Sequence, residues 1–297
     1  MNDRHALVSR PVRHLPSGRR RRTSTFALAL WLAALSACGS DPAPLPVPQL
    51  WVLQAHWLFT LDQTDKALAD KFLGSDSSVL LGNSPSRHGS YVPTAFVWTS
   101  FRRFRTLLAD PNAAPSLIPL RLVMYDPEAW NATPINEQRH PVVFMQRFAR
   151  LARSHGWQVL LTPNPNLMTV PRGDCVARPG ESPTAAYVRC NIAGFAAEVA
   201  DIVETQAQAF ESTPKAYSSF VRQTVEQARR ANPRVRVISG LTTSQGAAAM
   251  YAAWNSVRGV VDGSYLSIRS DPQETGVALE FLRMLPGAPS TSASPSG

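Results

Sequence analysis

Leu120-Arg121-Leu122-Val123-Met124-Tyr125-Asp126-Pro127-Glu128-Ala129-Trp130 is an apolar run that stops at two carboxylates. Residues 120–125 read as a strand, and the acidic pair stands at its carboxyl end. In extended backbone, side chains two apart share a side, so Asp126 and Glu128 point the same way. The same design recurs along the chain. Further short apolar runs lie at 50–54, 79–81, 158–162, 200–205, 235–239 and 260–268, with longer stretches of helical period between them. Polar or acidic side chains stand at the carboxyl ends of several: Gln54 and His56, Asn164, Glu204 and Gln206, and Asp262. The clearest helix is 141–155. Phe144, Phe148, Leu151, Ala152 and His155 recur there at spacings of three and four, with Pro141 in the first turn and Gly156 at the stop. Residues 214–231, 245–257 and 273–285 follow the same pattern. Arg102, Arg103 and Arg105, interleaved with Phe101 and Phe104, suit an amphipathic helix with a solvated face.

Continuous apolar strands that alternate with helices call for a parallel sheet covered on both faces. Two architectures satisfy this: an open doubly wound sheet, and a closed (β/α)8 barrel of the TIM type. The barrel is the preferred α/β reading. Residues 49–285 suit one barrel domain, which typically needs about 250 residues, and functional groups ringed at strand ends are where barrel active sites form. Seven strands are assigned and an eighth is not, so closure of the ring is an expectation drawn from length and alternation.

The chain opens with an export pattern. Arg19 to Arg22 form a basic run, residues 26–35 are an apolar stretch, and Leu35-Ser36-Ala37-Cys38 places small residues before a cysteine. The apolar stretch falls short of the roughly 20 residues a spanning helix needs. The tetrapeptide resembles the lipobox of bacterial lipoproteins. That resemblance implies cleavage after residue 37, lipidation (palmitate included) of Cys38 and anchoring on the extracytoplasmic face of a cell membrane. An ordinary cleaved signal with a chance cysteine, or a twin-arginine signal through Arg21 and Arg22, are the alternatives. Residues 39–48, with alternating prolines, form a stiff tether. Residues 286–297 form a Pro/Ser/Ala/Gly-rich tail expected to be disordered.

The formal charge of +9 overstates how basic the mature part is. Residues 1–37 hold seven arginines, no lysine and one aspartate, so six of the nine net charges lie there. The remainder carries no concentrated basic stripe, which argues against a nucleic-acid partner. Cys175 and Cys190 are an even pair in an exported chain and are expected to form a disulfide, worth about 3 kcal/mol for a loop of about 15 residues. The histidines, His56, His88, His140 and His155 among them, lack metal-ligand spacing, so no metal or cofactor is expected. There is no G-x-G-x-x-G, Walker loop or G-x-S-x-G.

Two carboxylates held together cannot both ionise freely near neutral pH, which leaves one proton donor and one anion. Glycoside hydrolysis uses that pairing. Asp126 and Glu128 are the leading catalytic candidates, with Glu204 and Asp262 next; Glu128 paired with Glu204 or Asp262 across strands is the other arrangement. Tyr125 and Trp130 offer ring faces to a sugar, and Gln54, His56, Asn164 and Gln206 polar groups to its hydroxyls. The Cys175–Cys190 loop follows the strand ending at Thr162 and is expected to shape the same cleft. Competing readings are structural. Asp-Pro-Glu also suits a helix start with Asp126 as cap, Glu204 could pair with an arginine, and Asp262-Gly263 suits a turn.

Several segments together resemble an uncharacterised family of secreted bacterial lipoproteins with a glycosidase-like TIM-barrel domain. They are the 125–130 stretch with Thr133-Pro134 and Glu137-Gln138, Leu161-Thr162-Pro163 with Asn166-Leu167, residues 201–208, Ser239-Gly240-Leu241-Thr242 and 261–266. Ser267 and Arg269 depart from the family pattern. The resemblance implies a membrane-anchored protein acting on carbohydrate or a cell-wall polymer, and supplies no catalytic residues. A non-catalytic binding or structural lipoprotein on the same scaffold is the rival.

Overall fold

A computed structural model describes residues 49–74, 78–82, 93–110, 120–268 and 272–288. The expected leader, Cys38, the tether to residue 48, His88, Arg269 and the tail from 289 onward lie outside the described residues.

Eight parallel strands close on themselves in chain order: β1 (Leu50–Gln54), β2 (Ser78–Gly82), β3 (Ala95–Trp98), β4 (Leu122–Tyr125), β5 (Gln158–Leu161), β6 (Ile202–Thr205), β7 (Arg236–Thr242) and β8 (Gly263–Ser267). Pairing of β8 with β1, Tyr265 opposite Val52, shuts the ring and excludes the open doubly wound sheet. The strand that sequence reading missed is β3. It is four residues long and meets β2 only through Leu81 opposite Ala95 and Gly82 opposite Phe96. So short a run carries almost no periodic signal.

Outside the ring stand α1 (Ala55–Thr64), α2 (Lys66–Leu73), α3 (Phe101–Leu108), α4 (Ile135–Arg139), α5 (Pro141–Ser154), α6 (Pro183–Arg189), α7 (Ile192–Val199), α8 (Pro214–Ala231), α9 (Ala247–Val257) and α10 (Pro272–Met284). Among the described residues no helix is long and apolar enough to cross a membrane. In α5 the residues spaced by three and four, Phe144, Phe148 and Ala152 with Met145 and Ala149, are buried. Gly156, at φ +78°, ends the chain's helical course in the left-handed region that a β-carbon would penalise.

Strand alternation produces two cores. Inward side chains, including Val52, Leu81, Leu122, Met124, Leu160 and Ile238, fill the ring. Outward ones, such as Leu53, Val123, Tyr125, Val159, Val203 and Val237, pack beneath the helices. Cys175 and Cys190 are bonded, tying the loop between β5 and α6 to the end of α6. Asp174 in that loop holds His140 Nδ1 at 2.7 Å and donates its N–H to Arg139 O at 2.8 Å.

Candidate active site at the barrel mouth

The inward rows continue past the apolar core to the carboxyl ends of the strands. Leu122 and Met124 lead to Asp126, Leu160 to Thr162 and Asn164, Ile202 to Glu204 and Gln206, and Val52 to Gln54. Each strand thus changes from oil to polar group as it reaches the mouth.

One hydrogen-bond network joins these ends. Thr162 Oγ1 donates to Asp126 Oδ1 at 2.7 Å, and Gln206 Nε2 donates to the same oxygen at 2.8 Å and to Thr162 O at 2.7 Å. Asn164 Nδ2 donates to Gln206 Oε1, and Asn164 Oδ1 accepts the Asn166 N–H at 2.8 Å. Asn166 Oδ1 accepts the Ala129 N–H at 2.8 Å, which pins the backbone beside Glu128. From the other side, Thr133 Oγ1 accepts the Glu128 N–H at 3.2 Å and the Trp130 indole N–H at 3.0 Å, while donating to Thr99 O at 2.8 Å. Gln138 Nε2 bonds the carbonyls of Trp130 and Thr133.

The electrostatics follow from burial and like charge. Asp126 is pushed up to about 7, first by removal from water and then by the charge of Glu128; the bonds from Thr162 and Gln206 oppose this. Glu128 is also raised by burial, less so, because Asn166, Gln206 and Asn164 stabilise its anion. Glu204 is 1% exposed, and burial reinforced by Asp126 and Glu128 lifts it well above the carboxylate range. Its Oε1 accepts from Gln208 Nε2 at 3.3 Å, and its Oε2 has no hydrogen-bond partner among the described residues. Among those residues none of the three carboxyls makes a salt bridge.

Several sequence expectations need correction. Asp262 is at the opposite end of the barrel. It precedes β8, accepts the Val237 N–H at 2.7 Å and pairs with Arg229 Nη2 at 3.2 Å, so it clasps strands and is remote from the mouth. Tyr125 takes the outward parity of β4. It is fully buried, stacks on Phe148 at 4.9 Å and donates its hydroxyl to Glu137 Oε2 at 2.9 Å, so it presents no face to a sugar. Glu137 also accepts the Phe101 and Arg102 N–H groups and the Ser100 hydroxyl, capping α3. Asp126 caps no helix, because the chain runs irregularly to Ile135. Glu204 is paired with an amide and not with an arginine. Gln206 has its amide nitrogen and oxygen both engaged in the network, so it positions carboxylates and is not a free hydroxyl ligand. Asn164 is engaged similarly.

Trp130 lies 45% exposed beside Glu128. Gln54 hydrogen-bonds Tyr265 at the end of β1, and His56, in the first turn of α1, lies with its ring 4.7 Å from that of Trp57.

Three mouth residues escaped sequence reading. Tyr265 of β8 points inward and is raised by burial and by Glu204 and Asp126. Gln208 supports Glu204. Glu211 is buried, accepts the Thr242 N–H, and is pushed up to about 8 by burial. Alternation from Ile202 reaches Glu204, Gln206 and Gln208 and so could have flagged Gln208. Tyr265 required the true start of β8 at Gly263, and Glu211 lies in irregular chain where no period applies.

Three cavities lie away from the mouth: about 340 Å³ between α3 and α5, about 440 Å³ between α6 and α8, and about 370 Å³ at the amino-terminal end of the barrel.

The fold defines the chain as a TIM-type (β/α)8 barrel. No protein-family model and no curated protein matches it in sequence. Solved structures similar to it include virulence factor SghA from Agrobacterium tumefaciens, at 17% identity over 51% of this chain and 40% of that one, TM-score 0.32. A sugar phosphate isomerase/epimerase from Parabacteroides distasonis is 8% identical over 81% and 94% of the two chains, TM-score 0.42. The carboxyl transferase domain of Rhizobium etli pyruvate carboxylase is 13% identical over 73% and 40%, TM-score 0.33. The chain thus spans 40% of the length of the SghA structure. Identities this low say nothing about substrate or reaction.

Proposed function

We propose that this barrel acts on carbohydrate as a glycoside hydrolase, exported behind residues 1–37 and held at a membrane surface through lipid on Cys38. The observation that carries the catalytic reading is the convergence of Asp126 and Glu128 from β4 with Glu204 from β6 at the carboxyl-end mouth, with no cation bonded to them among the described residues. Asp126 is the proton donor. Both of its side-chain hydrogen bonds among the described residues fall on Oδ1, which leaves Oδ2 to carry the proton. Glu128, less raised, is the anion that stabilises positive charge developing on the sugar ring. Glu204 beneath them stays neutral and keeps the mouth from carrying three negative charges. Trp130 supplies an exposed ring face next to Glu128.

The test is turnover of polysaccharides and cell-wall fragments by the mature protein. Asp126→Asn and Glu128→Gln each lower kcat by at least 10²-fold, the size of a lost general acid or base, without lowering the melting temperature. Full activity in both variants on a confirmed substrate overturns the assignment. One observation favours a binding protein that lacks catalysis: Gln206 and Asn164 are engaged within the network. Saturable glycan binding with no product, unchanged in Asp126→Asn, identifies that case.

A further inference from the structure

The amino-terminal end of the barrel, opposite the mouth, has a charged opening that the proposed reaction does not use. A cavity of about 370 Å³ there is lined by Arg153, Gln158, Asp201, Ile202, Arg234 and Arg236, among others. Gln158, Ile202 and Arg236 share the inward parity of Leu160, Glu204 and Ile238, so the cavity borders the lower opening of the ring at β5, β6 and β7. Arg121 is exposed beside it, its carbonyl accepting the Gln158 N–H at 2.9 Å. The single acid of this lining, Asp201, already accepts the Val159 N–H at 2.8 Å and lies 3.6 Å from Arg153. Arg121, Arg234 and Arg236 make no salt bridge among the described residues.

The incoming chain joins the barrel at the same end. Leu50 opens β1 by donating its N–H to Asp262 O at 3.0 Å, so β1 begins at this end. We propose that this arginine-lined floor docks on anionic phospholipid headgroups and so turns the mouth away from the membrane. The proposal rests on the reading of Cys38 as a lipid anchor. Guanidinium groups match phosphate oxygens in a two-pronged geometry, and an anionic surface attracts exposed cations within about a Debye length, about 10 Å at 0.1 M salt.

The test uses the chain from residue 39, which contains every strand of the closed ring and lacks both the basic leader and the lipid. It is sedimented with vesicles of phosphatidylcholine alone and with 30 mol% phosphatidylglycerol. At about 50 mM salt, binding to the anionic vesicles exceeds that to neutral ones at least fivefold and falls to the neutral level at about 0.5 M salt. Arg234→Glu/Arg236→Glu abolishes the excess. Arg102→Glu/Arg105→Glu on α3 changes charge equally and retains it. If the reversed floor pair is unfolded by its melting curve, Arg234→Gln/Arg236→Gln takes its place and still loses most of the excess. Equal binding to both vesicles, or equal loss in the two reversed pairs, overturns the proposal. The mass of protein extracted from membranes separately decides whether Cys38 carries lipid, so the two failures are distinguishable.

Discussion

Asp126 and Glu128 are two residues apart, and the difference between them is the chemistry of the site. Asp126 lies deep enough that burial and its neighbour's charge bring its pKa to about 7, whereas at Glu128 burial alone raises the carboxyl and three amides oppose it. A carboxyl raised in this way binds its proton more tightly when folded. Between its ordinary and raised values the folded protein therefore holds more protons than the unfolded chain, and stability falls as pH rises. The window runs from 3.8 to about 7 for Asp126 and from 4.5 to about 8 for Glu211. Asp126→Asn keeps an oxygen for Thr162 and Gln206 and removes the cost of a buried charge. Thermal denaturation at pH 8 is expected to give this variant a higher melting temperature than the wild type, with the difference vanishing near pH 4. A lower melting temperature at pH 8 contradicts the burial account. The acidic pair itself was legible in sequence because it ends an apolar run. The roles of Tyr125, Thr133, Glu137 and Gln138 were not, since each depends on a partner brought near by tertiary folding. Those residues form a brace: Tyr125 and Glu137 fix α3, while Thr133 and Gln138 fix the turn that carries Glu128.

At the level of strands, the same side-chain parity that delivers carboxylates to the mouth governs the floor. Asp201 and Asp262 each precede a strand, each accept an N–H from the strand before, and each pair with an arginine late in the helix that leads into that earlier strand, Arg153 of α5 and Arg229 of α8. The apolar runs begin at 200 and 260, ahead of the strands at Ile202 and Gly263, because apolar Val260 and Val261 extend the run without belonging to the strand, and this places Asp262 at the wrong end. Asp262→Ala leaves the Val237 N–H without its carboxylate and is expected to cost about 1–3 kcal/mol in denaturant unfolding, with kcat unchanged. A loss of turnover at full stability contradicts the floor assignment. In β7, Gly240 leaves space for the buried pair across from it. A β-carbon there would lie 2.3 Å from Gln208 Nε2 and 2.6 Å from Glu204 Oε1. Gly240→Ala therefore displaces Gln208 from Glu204, and unfolding measurements should register a loss of about 1–3 kcal/mol. Unaltered stability shows that the mouth yields more readily than its packing indicates.

Over the whole molecule the barrel is polarised. The amino-terminal end combines strand-clasping aspartates with exposed arginines, and the carboxyl end collects carboxyls, amides and an inward tyrosine. The ring was inferable from alternating strands and helices and from domain length, but not provable, because β3 was invisible and closure depends on it. Everything functional depends on whether the mouth retains a proton on Asp126 near neutrality beside an ionised Glu128. A ¹³C NMR titration of the side-chain carboxyls, with Asp126 assigned by its disappearance in Asp126→Asn, measures this without any substrate. The midpoint of Asp126 is expected at about 7, above that of Glu128. A midpoint for Asp126 at its ordinary value of 3.8 would contradict the proton-donor assignment.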